Sequence, residues 1–273
     1  MRFKIILHKI SGNQIPINYQ YPLSAVIYKI LAKGNTEYAQ FLHETGYGKG
    51  FKLLSFSQLN VPFRIERFDK IEGIGKKDRM RLLGDEASFQ IAFHLPQAME
   101  NFVKGLFQSE QIDIADKKSK VSFSVKSVES LPNPLQEHKE NEIVSVQLKP
   151  LSPMVAGLRK DNGKYDFLDP EDERFTESLL YNWRSKIATC FDEATSTSAL
   201  LMMEVLPMKT PFKSRLITIK ADTSEETQIR GWMNFGLKVT GEKRFVELLL
   251  NSGTGVYNAQ GMGCMEVVNN KVK

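Results

Sequence analysis

The chain has 273 residues, of which 41% are hydrophobic and 25% charged, an ordinary composition for folded globular domains. At about 150 residues per domain, this length predicts two domains of ordinary size. The aliphatic runs are far shorter than the roughly 18 apolar residues that a membrane span needs. Charged residues also interrupt the N-terminal apolar stretch that a secretory signal would require. We therefore expect a cytoplasmic protein that does not associate with a membrane.

The cysteine and charge content narrows the possible partners. Cys190 and Cys264 lack the neighbouring Cys or His residues that zinc sites require. We therefore expect no metal site, no disulfide framework and no cofactor. Lys and Arg outnumber Asp and Glu by 37 to 32, a net charge of +5, which favours a polyanionic partner.

The first half of the chain predicts the order strand, helices, strands, helix, strand. Hydrophobic periodicity places strands at residues 3–8, 51–57, 88–95 and 121–125, and helices near residues 22–34, 35–46 and from Pro96 onwards. A charged stretch, residues 64–81, separates the second strand from the third. Residues 131–141 are polar, contain two prolines and show no period, so we expect the domain boundary there.

The same order of elements recurs beyond the boundary. We predict strands at residues 143–151, 201–206, 213–220, 229–239 and 262–268, a long helix begun by Asp169 and Pro170, and a second helix around Phe245. Both halves then fit a βαββαβ plan. The predicted fold class is α+β, with two tandem ferredoxin-like domains at residues 1–131 and 142–273.

Residues 253–263 form a glycine-rich segment with two Gly-x-Gly pairs, namely Gly253, Gly255, Gly261 and Gly263. Glycines permit a positive φ and let backbone N–H groups approach a phosphate closely. The dinucleotide-binding fingerprint does not match, because Asn258 occupies the position of its third glycine. A helix C-cap followed by a glycine-rich hairpin is the structural alternative.

Two helical side chains are predicted to face outward. At roughly 100° per residue, His43 lies about 140° from the centre of the apolar stripe of its helix, and Tyr28 lies about 130° from that of the preceding helix. An imidazole near a helix C-terminus is well placed for proton transfer near neutral pH. The alternative is that both are solvated surface side chains.

A basic strand is the third candidate feature. Lys209, Lys213 and Arg215 surround Phe212, and no acidic residue occurs from residue 207 to residue 221. Such a strand can contact phosphates and a base face together. A solvated strand face is the alternative, and an RNA path over residues 64–81 is another.

Several segments together carry a family resemblance. They are residues 21–31, 41–47, 51–57, 148–153 and the glycine-rich segment with residues 264–267 after it, which follows the pattern G-h-G-x5-G-h-G. The chain resembles the CRISPR-associated repeat-processing endoribonucleases, the sixth Cas family, within the superfamily of repeat-associated RNA-binding proteins. Thr254 departs from the pattern, which has an apolar residue there.

This resemblance implies a specific activity. The family cleaves CRISPR precursor transcripts within each repeat, without a metal, and leaves a 2′,3′-cyclic phosphate and a 5′-hydroxyl. Its Tyr, His and Lys positions fall on Tyr28, His43 and Lys52, with Lys49 as a competitor for Lys52. The resemblance leaves open whether the histidine is base or acid.

The resemblance also implies partners. Repeat RNA is expected on Lys209, Lys213 and Arg215 and on the glycine-rich segment, through Gly253, Gly255, Asn258, Gly261 and Gly263. A CRISPR effector complex is a further candidate partner. The oligomeric state is expected to be either a monomer or a homodimer.

Two other functions stay open at this point. One is a non-catalytic RNA-binding member of the same superfamily that holds guide RNA. The other is a nucleotide-binding metabolic enzyme, which the missing fingerprint and the helix-to-strand order of the glycine-rich segment disfavour.

Overall fold

The computed structural model describes residues 1–68, 78–161, 165–220 and 224–268. The first half contains, in chain order, β1 (Arg2–Ser11), β2 (Gln14–Pro16), α1 (Gln20–Gly34), α2 (Thr36–Glu44), β3 (Leu54–Phe56), β4 (Phe63–Glu66), β5 (Arg79–Leu82), β6 (Glu86–Phe93), α3 (Pro96–Phe107), β7 (Ile112–Ala115) and β8 (Lys120–Leu131).

The second half contains, in chain order, β9 (Ile143–Pro150), β10 (Ala156–Arg159), β11 (Tyr165–Leu168), α4 (Arg174–Cys190), α5 (Glu193–Ser198), β12 (Met202–Pro207), β13 (Lys213–Ile219), β14 (Thr227–Met233), β15 (Phe235–Glu242), α6 (Lys243–Ser252) and β16 (Met265–Val267). Among the described residues, no helix combines the length and apolarity needed to cross a bilayer.

The first half forms an antiparallel sheet with the order β3-β6-β1-β8-β7. β1 is central, because it pairs with β6 on one side and with β8 on the other, so that Ile5 lies opposite both Phe89 and Val128. Ile5 and Leu7 alternate with more exposed residues and join a core that includes the apolar faces of α1 and α3. The path β1–α1–β3–β6–α3–β8 is therefore βαββαβ, with β7 added at an edge.

The second half repeats this arrangement around its own core. Its main sheet has the order β12-β15-β9-β16, and the path β9–α4–β12–β15–α6–β16 occupies the same positions as the corresponding elements of the first half. α4 and α6 bury Phe175, Trp183 and Phe245 against this sheet. The predicted fold class, α+β with two tandem ferredoxin-like domains, is confirmed.

The described residues also form three smaller sheets. The predicted charged stretch of residues 64–81 contributes to a sheet with the order β2-β5-β4, and residues 69–77 of it lie outside the described residues. β10 pairs with β11, and β13 pairs with β14, both antiparallel. The β13–β14 hairpin carries the predicted basic strand.

α1 and α3 approach each other to backbone contact at two glycines. A Cβ atom at Gly105 would lie 1.8 Å from the carbonyl oxygen of Ile30, and one at Gly34 would lie 1.9 Å from that of Asn101. Any side chain at either glycine would therefore push the helices apart. The pair therefore fixes how closely α1 and α3 pack against each other.

The predicted domain boundary lies between two strands. β8 ends at Leu131 and β9 begins at Ile143. Leu135, between them, is buried in the second core, and Asn133 donates a hydrogen bond to Glu247 of α6. The division of the chain stays a prediction, and these contacts favour counting the connecting segment with the second half.

The strand predicted at residues 229–239 is wrong as a single element. Asn234 interrupts it with a φ of 65°, a left-handed conformation that Asn tolerates better than most residues. Before Asn234 the chain pairs with β13, and after it the chain pairs with β12 and β9. Hydrophobic periodicity continues through the break, so the sequence pattern did not reveal it.

Other predicted bounds also differ from the structure. The strand at residues 51–57 is reduced to β3, and the last strand starts at Met265 because residues 261–263 belong to the glycine-rich segment. The long helix begins at Arg174, since the Asp169 carboxylate and carbonyl accept from Glu171 and Asp172 in turns that precede it. Short polar side chains often favour such turns over helix.

Candidate active site

A cleft of about 480 Å³ lies where the two halves of the chain meet. α1, α2 and the segment before β3 form one wall, and α4 with the glycine-rich segment forms the other. The residues that line the cleft include Ser24, Tyr28, His43, Lys49, Lys52, Lys186, Gly255 and Asn258. The structure thus brings Tyr28, His43 and Lys52 together in one place.

The turn between α1 and α2 determines how Tyr28 and His43 meet. Asn35 ends α1 and caps α2 by accepting a hydrogen bond from the backbone N–H of Tyr38 at 2.9 Å. The rings of Tyr28 and His43 then lie edge to face, with 5.2 Å between centroids and 88° between planes. His43 is exposed and Tyr28 half-buried, so the predicted outward direction is confirmed for His43.

Burial sets the protonation state of the Tyr28 phenol. It raises the pKa of Tyr28 to about 12, because an ionised phenol loses its hydration in the cleft wall. The hydroxyl therefore keeps its proton at neutral pH. Tyr28 can donate or accept a hydrogen bond as a neutral group, and it does not supply a phenolate base.

Two lysines stand beside His43. Lys52 donates a 2.9 Å hydrogen bond to the carbonyl oxygen of His43, and partial burial lowers the pKa of its ammonium group. Lys49 lies with its ammonium group 5.4 Å from the centre of the Tyr181 ring. Both lysines line the cleft, so Lys52 and Lys49 remain alternatives for the electrostatic role.

The glycine-rich segment folds back on the second half of the chain. Gly253, Gly255, Gly261 and Gly263 all have a positive φ and are all buried. A Cβ at Gly255 would lie 2.2 Å from the Val155 carbonyl oxygen, and one at Gly263 would lie 1.9 Å from that of Thr254. Protein packing alone therefore requires glycine at these two positions, and RNA contact by the four glycines stays a prediction.

Asn258 holds the segment closed through its side chain. Its amide nitrogen donates to the carbonyl oxygens of Thr254 and Met262, each at 3.1 Å. Its amide oxygen accepts from Lys186 at 2.8 Å. Both amide protons are thus used within the protein. The RNA contact of Asn258 stays a prediction, and it would have to use the second lone pair of the amide oxygen or the backbone of Asn258.

Lys186 is a cleft residue that the sequence interpretation missed. It is 1% exposed, and its ammonium group also donates to the Gly253 carbonyl oxygen at 2.6 Å. The signal was present, because Lys186 stands seven residues after Leu179 and three after Trp183, which places it on the apolar stripe of α4. A lysine in that position is a buried charge that needs a partner.

The two walls are joined by a direct contact. The Ser24 hydroxyl of α1 donates a 2.6 Å hydrogen bond to the carbonyl oxygen of Ala259 in the glycine-rich segment. Ser24 lies one helical turn before Tyr28, on the same face of α1. The position of Tyr28 is therefore tied to that of the glycine-rich segment.

The three predicted basic residues occupy different surroundings. Arg215 and Lys213 line a second groove, of about 1370 Å³, between the β13–β14 hairpin and the first half, whereas Lys209 does not line it. Arg215 donates to the Ile17 carbonyl oxygen at 2.9 Å and so connects the hairpin to the first half. Tyr21 and Ala25 line both the groove and the cleft, which makes the two cavities neighbours across the start of α1.

The arrangement places an imidazole, which can transfer protons, beside the positively charged ammonium groups of lysines. An imidazole can give or accept a proton near neutral pH, and ammonium groups can stabilise a phosphate that gains negative charge. Among the described residues, no group of three or more His, Cys, Asp and Glu side chains lies together as metal ligands would.

Comparison with known proteins gives one consistent result. The family described as "CRISPR-associated protein Cas6, N-terminal" matches residues 14–129, and "CRISPR associated protein Cas6, C-terminal" matches residues 135–267. The chain is 27% identical over 271 residues to "CRISPR-associated endoribonuclease Cas6 1" of Methanocaldococcus jannaschii, which covers 99% of this chain and 94% of the relative.

Two further similar proteins are also described as Cas6. "CRISPR-associated endoribonuclease Cas6" of Pyrococcus furiosus is 26% identical over 275 residues, covering 99% of this chain and 91% of the relative. A solved structure described as "CRISPR associated protein Cas6" superimposes with a TM-score of 0.69 and 25% identity, covering 98% of this chain and 99% of that one. The similarity therefore runs through both halves of the chain.

Proposed function

The chain belongs to the Cas6 family of CRISPR-associated proteins, and on that ground we propose that it is an endoribonuclease that cuts CRISPR precursor transcripts within their repeats. The observation that carries the proposal is the meeting of Tyr28, His43 and Lys52 in one cleft. These are the residues on which the family resemblance places the reaction. The relatives described above carry the name endoribonuclease.

The proposed reaction is an internal transesterification. The ribose 2′-oxygen attacks the adjacent phosphorus, so that a 2′-O–P bond forms while the P–O5′ bond breaks. A base takes the proton of the 2′-hydroxyl, and an acid gives a proton to the leaving 5′-oxygen. The products are a 2′,3′-cyclic phosphate and a 5′-hydroxyl, and the step consumes no water.

The residues of the cleft fit these roles. His43 is exposed to the cleft and takes one of the two proton transfers. Lys52, or Lys49 in its place, stabilises the charge of the pentavalent phosphorus. Tyr28 stays neutral and offers its hydroxyl as a hydrogen-bonding group. In this proposal no protein group forms a covalent bond with the RNA.

We further propose that the groove beside the cleft carries the adjoining RNA. Lys213 provides exposed positive charge along it, whereas Lys220 is paired with Glu225. The exposed Phe63 ring offers a face on which a base can stack, and Leu216 adds exposed apolar surface. The groove reaches the cleft at Tyr21 and Ala25, so one strand could pass from the basic hairpin to His43. The family resemblance supports repeat RNA as that strand.

The experiment uses a labelled repeat RNA with excess chelator. We expect cleavage at one phosphodiester and a product that ends in a cyclic phosphate. A deoxyribose at the nucleotide 5′ of that bond should stop the reaction, because it removes the nucleophile. The control RNA carries the deoxyribose one nucleotide further upstream and should be cut normally.

Other outcomes would reject the proposed chemistry. Cleavage of the RNA that lacks the 2′-hydroxyl would indicate attack by water instead. Binding of repeat RNA without any cleavage would favour a protein that only holds guide RNA. Transfer of the product to an effector complex, and the choice between monomer and homodimer, are not needed for this reaction and stay predictions.

A further inference from the structure

Lys186 is a buried cation whose hydrogen-bond acceptors are all uncharged. Its ammonium group donates to the Gly253 carbonyl oxygen at 2.6 Å and to the Asn258 amide oxygen at 2.8 Å. The Phe51 ring lies 5.8 Å away on another side. Buried charges in proteins are normally paired with an opposite charge, and Lys186 has none among the contacts described here.

The titratable groups around Lys186 do not supply that charge. Cys190, one turn along α4, is the neighbour that would favour the ammonium form, and burial raises the pKa of its thiol to about 11. His94 lies on the side of the first half, and burial together with nearby positive charge lowers its pKa to about 4. At neutral pH both groups are therefore uncharged. Lys49 and Lys52, which share the cleft, add only positive charge.

The cleft adjoins this environment. Lys186 lines it together with His43 and Lys52, where the proposed function places an RNA phosphate. We propose that Lys186 is a positioning residue that holds the glycine-rich segment and that a phosphate of bound RNA is its counter-charge, so that RNA binding is coupled to proton uptake at Lys186. This inference rests on the proposed function.

The coupling has a definite sign. Burial lowers the pKa of Lys186 to about 7 in the free protein, so a large share of the molecules lacks this proton above neutral pH. A phosphate nearby favours the ammonium form and raises the pKa of the complex. RNA affinity is then maximal below about pH 7. It falls as pH rises, by up to about tenfold per pH unit, until the pH reaches the pKa of Lys186 in the complex.

The test measures the binding of an uncleavable repeat RNA with deoxyribose at the scissile nucleotide. All proteins carry His43→Ala, which removes the imidazole from the cleft. Affinity is measured from about pH 6.5 to about pH 9 at constant ionic strength, a range in which a lysine with a pKa near 7 changes its charge. We compare Lys186→Met with Lys49→Met. Both variants lose one lysine of the cleft, but Lys49 is exposed whereas Lys186 is buried.

The two variants should differ in the pH dependence and not only in affinity. The parent and Lys49→Met should lose affinity with rising pH, whereas Lys186→Met should bind more weakly at low pH and change less than about twofold per pH unit. Lys186→Arg, whose guanidinium keeps its charge throughout, should also give a flat profile. Equal slopes in the parent and in Lys186→Met would overturn the proposal.

A second measurement needs no variant at Lys186. Calorimetry of RNA binding near pH 8, in buffers that differ in ionisation enthalpy, counts the protons taken up by the His43→Ala protein. We expect uptake of up to about one proton, and no uptake would overturn the inference even if the Lys186 variants do not fold. Cleavage by the protein with His43 intact tests the proposed function separately, so the two failures can be told apart.

Discussion

The ammonium group of Lys52 donates its hydrogen bond to the backbone carbonyl oxygen of His43, not to the imidazole. The chain between them turns tightly at Gly46, where a Cβ would meet the Phe51 carbonyl oxygen at 2.7 Å. Through this bond Lys52 satisfies a carbonyl oxygen in the last turn of α2, where the helix dipole favours a cation. The location of Lys52 therefore does not depend on the His43 side chain, which makes substitutions of His43 informative.

We expect His43→Ala to lower the single-turnover cleavage rate by about 10²- to 10⁴-fold, the usual contribution of one general acid or base. RNA affinity should change little, since Lys52 stays in place. The measurement is cleavage at saturating RNA together with a binding titration. His138→Ala serves as the control, because His138 pairs with Glu142 in the segment between the domains and should cut at the normal rate. A fully active His43→Ala enzyme would remove His43 from the mechanism.

Tyr28→Phe should slow cleavage by only about twofold to tenfold, which corresponds to the loss of one ordinary hydrogen bond. The ring stays, so the edge-to-face contact with His43 is kept. Since the pKa of Tyr28 is raised to about 12, the phenol remains protonated through the neutral range. The pH–rate profile below about pH 9 should therefore have the same shape in both proteins. A limb that disappears in Tyr28→Phe would show that the phenol titrates during the reaction.

The basic hairpin can be tested with two lysines of the same strand region. Lys213→Ala should lower the slope of log affinity against log salt by about 0.7, the loss of one phosphate contact with single-stranded RNA. Lys209→Ala should leave the slope nearly unchanged, because Lys209 lies outside the groove. Salt titrations of binding compare the two variants. Equal effects would place the RNA path over a wider surface than the groove.

Gly255→Ala should destabilise the protein by more than about 2 kcal/mol, since the methyl group would overlap the Val155 backbone in a conformation unfavourable to L-residues. Gly50→Ala is the matched control. It has a φ of +89°, yet its nearest neighbouring atom is 3.7 Å away, so it should cost only about 1 kcal/mol. Denaturant unfolding measures both. A smaller loss in Gly255→Ala than in Gly50→Ala would contradict the proposed tight packing.

The sequence predicts the parts of the site that depend on local periodicity. The angular position of His43 follows from the apolar stripe of one short helix, and Pro96 marks the start of α3 by its own backbone chemistry. Both features are local, so no knowledge of the other half is needed. The meeting of α1 with the glycine-rich segment is not local, because the hydrogen bond from Ser24 to Ala259 joins residues 235 positions apart.

Other features escape sequence interpretation for physical reasons. The break at Asn234 leaves the hydrophobic pattern intact and shows only in the backbone dihedral. The importance of Lys186 depends on a fold that closes over it, although its place on the apolar stripe of α4 is visible in the sequence. The four glycines of the loop suggest an open phosphate cradle, whereas the structure packs protein atoms against them. Composition alone does not distinguish these uses of glycine.

The contact between Gly34 and Gly105 has a consequence for how this enzyme could change its substrate. With two backbones already touching, α1 can move no closer to α3, and any larger residue would displace the helix that carries Tyr28. The spacing between α1 and α3 is therefore fixed. Adjustment to a different repeat is left to the groove beside the hairpin, where exposed side chains such as Phe63 and Leu216 form the lining.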